Sequence, residues 1–364
     1  MAHISFAQSL RISQVAAVIP MLSATVEGED GHITPILLSE PGVGKTSVLK
    51  LLEQQLGDEY DYIYVDCPCK DLMDIAATIP NHADKSLEQY VGALFKMDSP
   101  RKKVILFDEV FKTPKILAPL YTRAMLERVI ADRPLPLGSI VFGTSNNAGD
   151  GVGDFMQAHT GNRVCLVPVA KSNAKEWNIW AGENGISSIL RGFVAMNPRV
   201  MASHLDGGQD DNPYIFHPNR KGQFLSPRSL AKCNRVVKNY RTLGADESSV
   251  LLKGIIGTAA AEQLAVFIDM EEQIHRTSDI LAAPETISVP TDNSALAMVM
   301  FNAVDDLTTQ DELSLFMKFI NRVPQREMQS LFFTMLMSTK RTVRMANNND
   351  TIKLWASDNF KIIV

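Results

Sequence analysis

Eight residues, Ser39-Glu40-Pro41-Gly42-Val43-Gly44-Lys45-Thr46, have the types and spacing of a loop that could wrap the phosphates of a nucleotide. Gly42 and Gly44 let the backbone take conformations closed to other residues and approach a bulky anion. Successive N–H groups can then turn inward as an anion nest, and a following helix adds its positive amino end. Lys45 brings a full positive charge to the outer phosphates, and the Thr46 hydroxyl is placed to bind Mg²⁺. The expected nucleotide contacts are therefore Glu40, Pro41, Gly42, Val43, Gly44, Lys45, Thr46 and Ser47. Such loops usually open with glycine. Here Ser39 stands at that position, which mainly makes the turn. The plain alternative, a Gly/Pro turn before a helix with an incidental lysine, does not account for the apolar Ile36-Leu37-Leu38 leading in and the helix-prone run leading out.

A second site of chemistry lies about sixty residues on. Lys103-Val104-Ile105-Leu106-Phe107-Asp108-Glu109 is an apolar run ending in two acids, the pattern of a central parallel strand buried on both faces. Acids at the carboxyl end of such a strand sit where α/β folds bind ligands. Asp108 is expected to hold Mg²⁺, directly or through water, and Glu109 to act as general base on the water that attacks the γ-phosphate. Two adjacent acids favour hydrolysis over storage of nucleotide, since one suffices for the metal. A third apolar run, Gly138 to Asn147, ends in small polar residues. There Asn146 could hold the attacking water from the side opposite Glu109, or simply cap a turn. Arg163, after Asn162, and Arg228, in Ser226-Pro227-Arg228, are rigid forks suited to phosphate oxygens. In isolation either reads equally as a surface ion pair.

These residues need a scaffold, and the hydrophobic pattern supplies one. It predicts strand 34–39, helix 45–56, strand 61–67, a mixed region 71–97, strand 103–108, helix 114–130, strand 139–145, loop 147–162 and strand 163–168. That alternation is a doubly wound, mostly parallel α/β sheet. An apolar stretch, Val15 to Leu22, reads as a helix ahead of the nucleotide domain; Pro20 and the lack of a basic cluster set it apart from a signal peptide. After Pro168 the pattern turns helical. Ser226 and Pro227 fit the cap and first turn of a helix, and residues 203–225 read as a long loop. Trp177 and Trp180 are expected in a helical core. A Pro-containing link from Ala282 to Asp292 precedes a methionine-rich helical segment with Met298, Met300, Met317, Met328, Met335 and Met337. That segment reads as core, or as a flexible partner-binding surface.

Composition sets outer bounds. The chain has 364 residues and a net charge of −5, so no global attraction to nucleic acid or an anionic membrane is implied. Lys340, Arg341 and Arg344 form only a small basic cluster. Four cysteines, two of them in Cys67-Pro68-Cys69, lack metal spacing and fit a reducing compartment. No run is long enough to span a bilayer, so a cytoplasmic protein is expected. No Asn-Lys-x-Asp string occurs, which argues against a GTP switch.

The ordered set of phosphate loop, Asp-Glu strand end, Thr-Ser-Asn strand end, Asn-Arg and Ser-Pro-Arg resembles the AAA+ ATPases, and within them the MoxR and dynein-related branch. Asp66-Cys67-Pro68 with Asp71 to Ile75, and Met125 to Arg128 with Leu135-Pro136, are similar to that branch too. The resemblance covers about residues 10–270. It implies a P-loop NTPase (AAA+) core over 1–170, an α-helical lid over 171–281 and a helical C-terminal extension over 282–364. It implies that residues 39–46 are Walker A, Asp108 and Glu109 Walker B, Asn146 sensor 1, Arg163 an arginine finger acting on a neighbouring subunit, and Arg228 sensor 2; Arg191 or Arg199 could play the trans role instead. It further implies ATP and Mg²⁺ as cofactors, a homo-oligomeric, hexameric ring, and remodelling of a protein partner, with a von Willebrand factor A-like protein as possible companion. Action on nucleic acid, or a non-hydrolysing ATP-bound scaffold, are the competing functions.

Overall fold

The computed structural model describes residues 8–27, 32–146 and 163–358. The chain divides into two compact units, Met1–Lys171 and Ser172–Val364. In the first, the elements run α1 (Ile12–Ser23), β1 (Thr34–Ser39), α2 (Ser47–Leu56), β2 (Tyr60–Asp66), α3 (Leu72–Ile75), β3 (Ala76–Asn81), β4 (Ser86–Val91), β5 (Lys102–Asp108), α4 (Ala118–Glu127), β6 (Val129–Ile130), β7 (Arg133–Pro134), β8 (Ile140–Asn146) and β9 (Val164–Pro168). Five strands form one sheet in the order β2-β5-β8-β1-β9, every pairing parallel. This is the doubly wound parallel α/β sheet that the apolar runs predict.

Alternation along the strands builds two cores. Leu37, Val104, Leu106, Ile140 and Phe142 face Val15, Ala16 and Ile19 of α1 and Val48 and Leu52 of α2. Ile36, Ile63, Val65, Ile105, Phe107 and Val141 face Leu117, Tyr121, Ala124 and Met125 around α4. Strands buried on both faces cannot alternate polar with apolar, which is why β5 reads as one unbroken apolar run.

Two local departures have clear causes. The mixed region 71–97 contains the antiparallel hairpin β3–β4. Its Ile79, Leu87 and Tyr90 are exposed, so it carries no buried-face periodicity to read. The helix expected to reach residue 130 ends at Glu127, because Arg128 adopts left-handed backbone at φ 57°. No glycine marks that stop.

Arg128 is buried in return. Its guanidinium donates to Thr34 Oγ1, Ser23 O, Ser23 Oγ and Met125 O. It thereby ties α1, β1 and α4 together at the amino ends of the strands. Burial lowers its pKa to about 10, so it stays charged at neutral pH. Arg128→Ala removes these bonds and leaves buried acceptors without a donor, at a cost of about 2–4 kcal/mol. A urea midpoint equal to that of the parent chain would contradict this.

The second unit is helical. One core gathers Trp177, Leu190, Phe193, Leu230, Leu264 and Phe267; a second gathers Met300, Phe316, Met317, Phe319, Phe332 and Met335. The helix Asn293–Asp306 serves both, with Met298 in the first core and Met300 in the second. Ser172–Val364 forms one compact unit. The methionines at 298, 300, 317, 328 and 335 are buried core residues, as is Trp177, whereas Trp180 is 44% exposed. Arg341 donates to the carbonyls of Leu307, Val304 and Asp305, fastening one helix end to another segment.

Candidate functional site

The loop after β1 has the backbone its glycines permit. Gly42 and Gly44 sit at φ 79° and 107°, where side chains are strained. At Gly44 an added Cβ would meet Ile12 Cδ1 and Ser47 Oγ at an ordinary 3.5 Å, so the dihedral rather than space requires glycine. Ile12 places the start of α1 beside the loop. α2 opens directly after Thr46, and Ser47 Oγ donates back to Gly44 O at 2.6 Å.

Strand parity then collects the polar side chains. On β8, Thr144 and Asn146 follow Ile140 and Phe142 at intervals of two; on β1, Ser39 follows Leu37; on β5, Asp108 follows Leu106. All lie on the α1/α2 face. Ser39 is in register with Asn146. Between them is the Lys45 ammonium, which donates to Ser39 Oγ at 2.9 Å and Asn146 Oδ1 at 3.0 Å. Longer contacts reach the carbonyls of Ser39, 3.3 Å, and Glu40, 3.4 Å.

Asp108 is held by three hydroxyls. Thr46 Oγ1 and Tyr64 OH donate to its Oδ2 at 3.2 and 2.9 Å, and Thr144 Oγ1 donates to its Oδ1. Thr46 and Asp108 therefore offer two oxygens 3.2 Å apart. Adjacent ligands of an octahedral Mg²⁺ with bonds of ~2.1 Å lie ~3.0 Å apart, so this pair fits that ion.

Glu109 departs from the alternation. By parity it would face away from Asp108, but its backbone is left-handed at φ 56°, ψ 42°. That region is uncommon for a non-glycine residue and recurs at functional sites. The turn brings its carboxylate to Asn146 Nδ2, at 3.0 and 3.3 Å, and to Lys112 Nζ, at 3.1 Å. Gly143 makes room: a Cβ there would lie 2.9 Å from Val110 Cγ2, so only glycine lets the turn press onto β8. Asn146 and Glu109 are therefore in direct hydrogen-bond contact, the amide donating to the carboxylate.

Lys45, Thr46, Asp108, Glu109 and Asn146 thus meet at the carboxyl ends of β1, β5 and β8. Arg163 does not join them. It is an exposed turn residue just before β9, whose first residue Val164 pairs with Thr34 at the start of β1. At 3.3 Å per residue the length of β1 puts it ~17 Å from the loop, beside a cavity of about 600 Å³ lined by His32, Thr34, Glu127 and Cys165. Asn162 and the Gly149–Gly153 stretch lie outside the described residues. Arg228 belongs to the second unit; it is exposed in the first turn of the helix Pro227–Lys238, whose Ser226 cap accepts from Ser229 N. Arg191, an alternative trans arginine, is buried against Asp305 and the Phe301 ring and is unsuited to reach another chain. Arg199 is exposed and pairs with Asp211 at 3.4 Å.

Four contributions escaped the sequence reading: Tyr64, Thr144, Lys112 and the Ser39 hydroxyl. Thr144 stands in the polar string ending β8, but its partner is visible only once β5 is known to lie beside that strand. Tyr64 had no signal, since nothing in the sequence places β2 next to β5.

No family model matches the chain, and no curated protein matches it. Among solved structures it is similar to a candidate ATPase from Cytophaga hutchinsonii, at 15% identity over 72% of this chain and 88% of that one, with a TM-score of 0.32. It is similar to the RuvB Holliday junction branch migration motor of Thermotoga maritima, at 15% identity over 79% and 78%, TM-score 0.37. Hsp104 bound to ATPγS and casein shares 16% identity over 61% of this chain and 39% of that one, TM-score 0.31. At such identities and scores the functional reading rests on the geometry of the site itself.

Proposed function

We propose that this chain is an ATP-hydrolysing AAA+ protein of MoxR type that works as a homo-oligomeric ring and remodels a protein partner. One observation carries the reading: a glycine-strained loop, a lysine, a hydroxyl-held aspartate and a glutamate turned out of strand parity converge at the carboxyl ends of three neighbouring parallel strands. Residues 40–47 would hold the phosphates, with Thr46 and Asp108 on Mg²⁺, which when bound supplies charge neutralisation at the phosphates. Glu109, oriented by Asn146, would take the proton of the attacking water. Arg163, at the far end of the sheet from its own loop, would serve a neighbouring chain's nucleotide, and Arg228 would act as sensor 2 by the sequence resemblance alone. A von Willebrand factor A-like companion remains part of this proposal through the sequence resemblance alone. Among the described residues no helix is long and apolar enough to cross a membrane.

Calorimetry tests the base of this reading. MgATP is expected to bind the parent chain, and Lys45→Ala to lose about a hundredfold or more in affinity, because an ammonium donating to phosphate forms strong charge-assisted bonds. No heat of binding with the parent chain, with or without Mg²⁺, would remove the proposal.

A further inference from the structure

We propose that Ser39 is a positioning residue for the Lys45 ammonium, and that its hydroxyl strengthens this chain's hold on the outer phosphates of a nucleoside triphosphate. The inference rests on the phosphate-loop reading above and goes beyond it, since that reading leaves the first loop position only a turn to make.

Ser39 is the last residue of β1 and is 1% exposed. Its Oγ donates its single proton to Glu40 O at 2.9 Å and accepts from Lys45 Nζ at 2.9 Å. With the proton committed to a carbonyl, the oxygen lone pairs are turned toward the ammonium. Nζ lies 2.9 Å from Ser39 Oγ on β1 and 3.0 Å from Asn146 Oδ1 on β8, side chains of paired strands. The sheet, rather than the loop alone, therefore sets where the charge sits. A glycine at position 39 could supply only its carbonyl, which lies at a longer 3.3 Å. Lysine is a long, flexible side chain, and fixing it in advance leaves less freedom to be lost when it meets an anion. A hydroxyl serving only to satisfy its own burial would need the Glu40 carbonyl and nothing more.

The test compares the parent chain with Ser39→Ala, Ser39→Gly and Ser39→Thr, by calorimetric titration with MgATP, steady-state hydrolysis and thermal unfolding. Ser39→Ala and Ser39→Gly are expected to weaken ATP binding about tenfold, the scale of one hydrogen bond to a charged group. KM should rise correspondingly, with kcat at saturating ATP within about twofold. Ser39→Thr, which keeps the hydroxyl, should recover most of the affinity. Parent-like affinity in both the alanine and glycine variants, even with a lowered unfolding temperature, would overturn the proposal and leave the phosphate-loop reading standing. A parent chain that binds no ATP would end both.

Discussion

Glu109→Gln is expected to bind MgATP as tightly as the parent chain and to hydrolyse it about 10²–10⁴ times more slowly, the usual contribution of a positioned general base. Glutamine keeps the size of the side chain and an oxygen that can accept from Asn146 Nδ2, which now meets the carboxylate at 3.0 and 3.3 Å. It loses the charge paired with Lys112 at 3.1 Å and the ability to take a proton. The left-handed backbone at Glu109 is a cost borne equally by both residues. Binding should therefore survive while turnover does not. Gel filtration of the variant with radiolabelled ATP should recover unhydrolysed ATP on the protein; parent-rate phosphate release would strip Glu109 of its assigned role. The same variant, loaded with ATP, is the form to use for capturing the remodelled partner.

Arg163→Ala should lower turnover about 10³-fold in the assembled protein while leaving nucleotide affinity unchanged, within the range expected for an arginine finger. The physical ground is distance. Val164, the next residue, pairs with Thr34 at the amino end of β1, whereas Lys45 follows the carboxyl end, ~17 Å away along the strand. Within one chain the two residues thus lie at opposite ends of β1, which favours a neighbouring chain's nucleotide as the one Arg163 would meet. Mixing Arg163→Ala chains with Lys45→Ala chains should then restore part of the activity, since a mixed pair can assemble one interface with an intact loop and an intact arginine. Hydrolysis at the parent rate by assembled Arg163→Ala would exclude the residue, and exposed Arg199 would become the arginine to examine next. Full loss of turnover in the mixture would argue against action between chains.

The sequence by itself determined the sheet and the loop. Strands buried on both faces must be continuously apolar, so β1, β5 and β8 announce themselves, and φ above zero in a tight loop demands glycine, so Gly42 and Gly44 do too. Lys45, Thr46, Asp108 and Asn146 were legible because each follows directly on such a signal. Tertiary structure alone decided who touches whom. Tyr64 and Thr144 grip Asp108 because β2 and β8 flank β5, a strand order that local pattern does not encode. The end of α4 at Arg128 and the turn of Glu109 toward Asn146 depend on left-handed backbone at residues other than glycine. Such conformations are disfavoured locally and persist only when surrounding contacts hold them, here a buried guanidinium network in one case and the close seat of Val110 on Gly143 in the other. Nothing near either residue in the chain could announce contacts that exist only once distant strands have paired.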